Sequence, residues 1–193
     1  SQQVRKQLTR PVTTIGFDEG ASWRILDFQS HSTGIQYVLK SPTGEVCPVS
    51  FGMAGRYSAY NSAMAIVMMA LCGLPWKQVN LSGFGGVFRR ANVYGLAWPA
   101  IGKITMVDDY AHHPQELASV MAGFKERYPD RRQIVVFQPH RYTRTRDLAK
   151  DFARVLQDAD LCILMDIYPA SETPITGIDG QTLVNAMVGC SGG

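Results

Sequence analysis

Paired cysteines, long apolar runs and a strong charge are all lacking in this sequence, and each absence excludes a class of protein. The four cysteines (Cys47, Cys72, Cys162 and Cys190) are widely spaced and form no CxxC pair, so we expect reduced thiols rather than a disulfide framework or a zinc site. The longest apolar run, residues 63–74, is shorter than the ~20 residues of a membrane span. The polar start predicts no signal peptide, and we expect a soluble, cytoplasmic protein without a membrane partner.

Charge and phosphate-loop motifs exclude two further classes. The formal net charge is only +3, and no platform of stacking aromatics accompanies the arginines, so nucleic acid is not an expected partner. No GxxxxGK[ST] loop occurs anywhere in the chain, which therefore lacks the usual cradle for nucleotide phosphates. With 46% hydrophobic and 18% charged residues, the composition is that of a folded globular protein.

The first part of the chain has the pattern of a β-meander followed by helix. Four β-like segments cover residues 12–17, 23–29, 35–41 and 46–51. Turn residues separate them, and their alternating polarity predicts antiparallel pairing. Small and apolar residues at helical spacing then predict a helix from Ser58 to Gly73, and Pro75 begins a second, short helix predicted over 75–84.

Apolar strands alternate with helices in the remainder. Strands are predicted at 104–110, 131–139 and 161–170, and helices at 113–129, 145–160 and 180–189. This alternation predicts an α/β unit with a parallel sheet covered on both faces, and the change of rhythm near 102–106 predicts a domain boundary. Ligands of such sheets bind at the C-terminal ends of the strands, where polar clusters lie at 108–113, 139–146 and 166–172.

The stretch FQPHRYTRTRDL (137–148) is the richest in cations. His140, Arg141, Arg144 and Arg146 follow a strand end, and guanidinium groups match carboxylate or phosphate oxygens. The N-terminus of the following helix would add its dipole to such an anion site. The alternative is a solvated basic loop paired with nearby acids.

The stretch DDYAHHPQE (108–116) concentrates titratable groups. Asp109 could accept hydrogen bonds from a sugar diol, and His112 or His113 could bind an anion or act as a general base. Adjacent histidines point in different directions, which disfavours a two-histidine metal site. The alternative is that Asp108 or Asp109 caps the following helix while a histidine is exposed.

Two weaker signals lie upstream. In GFGGVFRR (83–90) a glycine-rich turn precedes Arg89 and Arg90, either of which could reach a phosphate. Asn61 lies in the apolar helix, and its amide could pair with an adenine edge. The alternative for Asn61 is a hydrogen bond to backbone near the helix start.

Together these motifs resemble those of the Mur ligase family over essentially the whole chain. The similar segments are GRYSAYNSAMAI, GFGGVFRR, DDYAHHPQE, FQPHRYTRTRDL and DIYPASETPITGID. The arginine loop favours the branch of the family that joins L-alanine to UDP-N-acetylmuramate in peptidoglycan synthesis. The resemblance implies that ATP phosphorylates the carboxylate of UDP-N-acetylmuramate, that Mg²⁺ bridges the phosphates, and that the amino group of L-alanine attacks the acyl phosphate.

The resemblance also implies a nucleotide site. Asn61 would contact adenine, Arg90 the phosphates and Asp109 the ribose, with Tyr110 nearby. Residues 55–58 read GRYS where the family has GRHN, and an alanine follows the arginine pair where the family has phenylalanine. Both departures alter the expected nucleotide contacts.

The resemblance also implies which residues bind the amino acid. His112, Arg141 and Arg144 would act at the reacting amino acid, the two arginines holding its carboxylate, and His140 would lie beside them. These assignments agree with the anion site expected from the residues themselves.

The resemblance implies two domains. Residues 1–103 would be the C-terminal part of a central ATP-binding domain, and residues 104–193 a truncated Rossmann-like domain that binds the amino acid. The main Mg²⁺ ligands and the phosphate loop are expected in a missing N-terminal part, so we expect this fragment to be inactive alone. The alternative is a non-catalytic binding module of the same family.

Overall fold

A computed structural model describes residues 10–31, 33–98 and 102–190. The chain divides between Gly86 and Val87 into two compact units, called here the first unit and the second unit. The domain boundary predicted at 103/104 falls within the strand Gly102–Asp108 and stays a prediction. The assignment of these units to an ATP-binding and an amino-acid-binding domain stays a prediction.

The first unit contains one sheet of four strands. In sheet order they are β1 (Ile15–Gly16), β2 (Trp23–His31), β3 (Gly34–Lys40) and β4 (Val46–Phe51). The last three pair antiparallel, as the alternation predicted. In contrast to the prediction, β1 pairs parallel with β2. The Thr14 carbonyl and hydroxyl accept the N–H groups of Trp23 and Ser22, which brings this short segment alongside the start of β2.

The core of the first unit lies between this sheet and helix α1 (Arg56–Leu71). Alternate residues of the strands face the helix and are almost fully buried: Trp23, Ile25, Ile35, Tyr37, Leu39, Cys47 and Val49. Small residues on the helix, Ala59 and Ala63, are fully buried, which lets the helix approach the sheet closely. The one polar pair in this core is satisfied, because the Tyr37 hydroxyl and Ser62 Oγ lie 2.8 Å apart.

Only a fragment of the predicted second helix forms. A 3₁₀ turn covers Trp76–Gln78, and Val79 is already extended. The side chain of Asn80 accepts the N–H of Ser82 at 2.9 Å, a local bond that competes with helical backbone pairing. The helix predicted over 75–84 is therefore wrong beyond its first turn.

The second unit has two separate strand pairs and three helices. The hairpin β5 (Asn92–Trp98) and β6 (Gly102–Asp108) is antiparallel, and β7 (Ile134–Phe137) pairs parallel with β8 (Leu161–Leu164). The helices are α2 (Pro114–Arg127), α3 (Tyr142–Leu156) and α4 (Gly180–Cys190). The sequence predicted β6 as a member of the parallel sheet. In the structure β6 instead pairs with β5, whose residues run back along it in register from Asn92↔Asp108 to Trp98↔Gly102.

All three helices contribute to one core over β7 and β8. Its buried members are Leu117, Met121, Phe137, Phe152, Leu156 and Leu183. The opposite face of the strand pair is open in the described part of the chain, with Ile134 46% and Val136 62% exposed. The sheet was predicted to be covered on both faces, and among these residues it is covered on one.

Two expectations from composition can be compared with the structure. Cys47, Cys72 and Cys162 are all free thiols, and Cys47 is buried. Across residues 10–31, 33–98 and 102–190, none of the helices combines the length and apolar character that a membrane crossing requires.

Candidate functional site

The carboxylate of Asp109 joins two turns of the second unit. Its Oδ2 accepts the N–H of Ala91 at 2.8 Å, and its Oδ1 accepts the N–H of Ala111 at 2.7 Å. The Tyr110 N–H donates to the Arg89 carbonyl at 2.8 Å beside them. Asp109 is thus a backbone anchor, and one lone pair on each oxygen remains for a further donor.

Arg89 and Arg90 lie in one of the two turns that the Asp109 carboxylate connects. Arg89 and Ala91 both adopt positive φ, 56° and 53°, which is costly for residues with a Cβ. Arg89 lies 3.7 Å from the Asp108 carboxylate and places its guanidinium 5.2 Å from the centre of the Tyr110 ring. Arg90 is exposed, and its charge contributes to lowering the pKa of Glu116.

Helix α2 is capped by His113, not by either aspartate. His113 Nδ1 accepts the Gln115 N–H at 3.3 Å, and the Glu116 carboxylate accepts the N–H groups of both His112 and His113. Burial raises the pKa of Glu116, but these N–H donors and the neighbouring positive charges outweigh it, so the pKa is lowered. The aspartate cap considered from the sequence is therefore wrong, and His113 has a structural role.

A row of rings brings the ends of β6, β7 and β8 together. The Tyr110 and His112 ring centres lie 5.2 Å apart, and those of His112 and His140 lie 6.0 Å apart. His140 stacks on Tyr168 with centres 5.5 Å apart, and the two residues also form a parallel β-bridge. Three polar segments that are distant in sequence thus meet, as predicted, although β6 does not belong to the parallel pair on which the strand-end argument rested.

The arginine turn, residues 140–144, lies next to this row. Arg141 has φ 76° and ψ 137°, and its N–H donates to the Tyr168 carbonyl at 2.8 Å. Arg144 donates to His140 Nδ1 at 3.3 Å. Burial lowers the pKa of His140, and the charges of Arg144, His112 and Arg141 lower it further.

The arginines of residues 137–148 differ in their partners. Arg146 is paired with Asp147 at 2.7 Å, as the solvated-loop alternative predicts. Within the described ranges neither Arg141 nor Arg144 lies within ion-pair distance of an acid, although the charge of Arg141 is close enough to contribute to the lowered pKa of Glu172.

Glu172 is a site residue that the sequence reasoning did not single out. Its carboxylate accepts the backbone N–H of Thr143 at 3.0 Å and the Thr143 hydroxyl at 2.6 Å. The bond from the Thr143 hydroxyl, followed by backbone donors, lowers the pKa of Glu172. The first N–H groups of α3, expected from the sequence to bind an anion, are therefore occupied by the protein's own carboxylate. The only sequence signal was its place in the polar cluster after β8.

The remaining predicted residue, Asn61, is exposed on α1 in the first unit. Nearby, Ser58 is 2% exposed and its hydroxyl donates to the Ala54 carbonyl at 2.6 Å. The serine in the GRYS segment is thus committed to the start of the helix and offers no group to a ligand.

A divalent cation has no evident place among the described residues. No three histidine, cysteine, aspartate or glutamate side chains there converge as metal ligands would. These residues do not fit a Mg²⁺ site.

Comparison with known proteins gives concordant similarities. The family described as "Mur ligase, glutamate ligase domain" matches residues 89–192. A UDP-N-acetylmuramate–L-alanine ligase from Halorhodospira halophila is 37% identical over 96% of this chain, which spans 39% of that protein's length.

Solved structures show the same fold. The UDP-N-acetylmuramate–alanine ligase MurC of Thermotoga maritima has a TM-score of 0.72 at 20% identity, over 92% of this chain and 37% of its own. The MurF ligase of Thermotoga maritima, solved in complex with ADP, has a TM-score of 0.65 at 16% identity, over 85% of this chain and 38% of its own.

Proposed function

Because this chain belongs to the Mur ligase family, we propose that it is part of an ATP-dependent ligase that joins L-alanine to UDP-N-acetylmuramate in peptidoglycan synthesis. The observation that carries the proposal is the meeting of two unpaired arginines and two imidazoles at the strand ends of the second unit. An amino acid presents a carboxylate and an amino group, and this cluster has a complement for each.

Arg141 and Arg144 bind the carboxylate of L-alanine. Neither guanidinium is neutralised by a protein acid in the described residues, so an incoming carboxylate gains charge-assisted hydrogen bonds without displacing an existing pair. The positive φ of Arg141 is consistent with this role, because strained backbone is retained where surrounding structure enforces it for function.

His112 accepts the proton that the attacking amine must lose. Its Nδ1 lies 2.9 Å from the Tyr110 carbonyl, which can only accept, so Nδ1 donates there and Nε2 is the nitrogen that faces the proton transfer. His140, with its lowered pKa, stays neutral at physiological pH and leaves the positive charge of the site on the arginines. Positioning of the amine next to an imidazole nitrogen is the contribution of these residues to amide formation.

The nucleotide contacts in the second unit are assigned to Arg90, Asp109 and Tyr110, and the adenine contact of Asn61 in the first unit is a separate prediction. The lone pairs of Asp109 not used by Ala91 and Ala111 would accept ribose hydroxyls, and the exposed Arg90 would contact phosphate oxygens. Tyr110 is 43% exposed and offers a ring face beside them.

Calorimetric titration of this chain with L-alanine and, separately, with ATP tests the proposal. L-alanine should bind, Arg141→Ala should weaken that binding, and Arg146→Ala should not, because Arg146 is already paired with Asp147. Equal effects of the two substitutions would contradict the assigned carboxylate site.

Turnover by this polypeptide alone is a separate question. Because the sequence contains no GxxxxGK[ST] loop, the usual means of holding the γ-phosphate is absent from it, so we expect no phosphate release from ATP with L-alanine and UDP-N-acetylmuramate present. Sustained release by the purified chain would show that the missing loop is not required.

A second candidate is a non-catalytic binding module. It is favoured by Ser58, whose hydroxyl is committed to the Ala54 carbonyl where the family has an asparagine amide. Binding of L-alanine with no measurable binding of ATP would support this alternative.

A further inference from the structure

The loop after β8 holds the arginine turn in place. This β8 loop, residues 168–172, contributes the Tyr168 carbonyl, which accepts the Arg141 N–H at 2.8 Å. The Tyr168 N–H donates to the Pro139 carbonyl at 2.8 Å. The two segments are therefore joined by backbone bonds on both sides of His140.

Glu172 completes this joint from the far end of the loop. Its two carboxylate oxygens accept the backbone N–H and the hydroxyl of Thr143. Carboxylate bonds to the first N–H groups of a helix are strengthened by the helix dipole and by their charge. Thr143 lies between Arg141 and Arg144, so this contact acts on the segment that carries both guanidinium groups.

Both partners of the joint are strained. Arg141 has φ 76°, and in the β8 loop Ala170 and Ser171 have φ 48° and 70°. Residues with a Cβ keep such conformations only where surrounding contacts enforce them. The contacts that connect the two strained segments are those of Tyr168 and Glu172.

We propose that Glu172 is a positioning residue for the amino-acid carboxylate. It fixes the arginine turn by bonding to Thr143 and not to a guanidinium group, and it occupies the start of α3 so that the incoming carboxylate is bound by Arg141 and Arg144. The inference rests on the proposed function in one respect, namely that the ligand is an amino acid.

The chain offers a matched control for an ordinary helix cap. Asp179 Oδ1 accepts the Thr182 N–H at 3.1 Å at the start of α4, and its own N–H donates to the Thr182 hydroxyl at 2.9 Å. This carboxylate has no arginine of the turn as a partner. Removal of the Asp179 charge therefore shows how much a helix-capping acid by itself affects ligand affinity.

The test compares Glu172→Gln with Asp179→Asn in the full chain. We expect Glu172→Gln to weaken L-alanine binding about tenfold, which corresponds to about 1.4 kcal/mol, and to leave ATP binding unchanged. Asp179→Asn should leave both affinities unchanged. In ¹H–¹⁵N spectra, Glu172→Gln should move the amide signals of Arg141 and Thr143.

The outcomes separate the two ideas. If the unmodified chain does not bind L-alanine, the proposed function fails. The spectra then decide whether Glu172 positions the arginine turn. Unmoved Arg141 and Thr143 signals overturn the positioning role, and moved signals support it. If L-alanine binds and Glu172→Gln binds it as well as the unmodified chain does, the positioning role is overturned and the function stands. Equal losses in both variants also overturn it.

A second variant guards against a folding defect. Thr143→Val removes the hydroxyl donor and keeps the side-chain shape and the backbone N–H. It should weaken L-alanine binding in the same direction as Glu172→Gln but less. Undiminished affinity in a folded Thr143→Val protein would count against the inference.

Discussion

The two units place their irregular backbone differently. In the described part of the first unit, Asp27 is the one residue other than glycine with positive φ, and it lies at the irregularity in the pairing of β2 with β3. Among its described residues the second unit has five: Arg89, Ala91, Arg141, Ala170 and Ser171. All five lie in the loops that carry the candidate site.

The units also differ in what holds them together. The sheet of the first unit buries one face against α1, and within that core the hydroxyls of Tyr37 and Ser62 bond to each other. The second unit has a smaller core and commits carboxylates such as Asp109 and Glu172 to the backbone of its loops. The comparison indicates that packing dominates the first unit, whereas polar anchoring shapes the second.

The largest expected effect is on the core of the first unit. Leu39 is fully buried, so Leu39→Ala should lower the free energy of unfolding by about 2–5 kcal/mol. Trp23 and Trp76 pack edge to face at 4.9 Å, which makes tryptophan fluorescence during urea unfolding a suitable measurement. Val46→Ala, at a position 54% exposed on β4, is the control and should change little. A comparable loss in both would contradict the view that packing in this core dominates the stability of the first unit.

Arg141 tests the irregular backbone of the second unit, because substitutions can remove its charge with or without relieving its backbone strain. Arg141→Gly should keep or raise stability, since glycine tolerates positive φ, and Arg141→Ala should not. Both should weaken L-alanine binding by about 1.5–3 kcal/mol, or roughly 10- to 150-fold. In an intact ligase either change should raise KM for L-alanine far more than KM for ATP, and equal increases would exclude a carboxylate-binding role.

Tyr37 offers a smaller, pH-dependent test in the first unit. Burial raises its pKa from 10.0 to about 12, opposed by the hydrogen bond with Ser62. The unfolded chain ionises first, so this contribution to stability is present below pH 10 and declines towards pH 12. Tyr37→Phe should cost about 0.5–1.5 kcal/mol at neutral pH and lessen that decline, as measured by urea unfolding at several pH values. An unchanged pH dependence would contradict the assignment.

The smallest expected effect concerns His140. Its pKa is below the ordinary 6.5 through burial and then through Arg144, so an NMR pH titration of its ring protons should give a midpoint below that value. Because the unfolded imidazole takes up a proton first, this group lowers stability as pH falls below 6.5. Arg144→Ala should raise the midpoint, and Arg146→Ala should leave it in place. A midpoint unaffected by Arg144→Ala would show that its charge does not act on the ring.

Periodic patterns predicted the regular elements well. Alternating polarity located β2, β3 and β4, and helical spacing located α1 and the three helices of the second unit. Pairing was predicted less well. β6 pairs antiparallel with β5, because a preceding segment competes for the same edge and local alternation does not specify a partner.

The site could be predicted only where neighbours in sequence act together. The convergence of the polar clusters after β6, β7 and β8 followed from strand-end logic, and the ring row from Tyr110 to Tyr168 agrees with it. The contact of Glu172 with Thr143 spans 29 residues, and no local pattern encodes it. The individual roles of Asn61, Arg90 and the arginine turn stay predictions until binding is measured.

The joint between the arginine turn and the β8 loop has a consequence for engineering. A designer who transplants only residues 137–148 into another scaffold would carry over the guanidinium groups without the Tyr168 carbonyl and the Glu172 carboxylate that restrain them. Such a graft should relax to ordinary backbone geometry. The smallest transferable recognition element is therefore a discontinuous one, in which both segments move together.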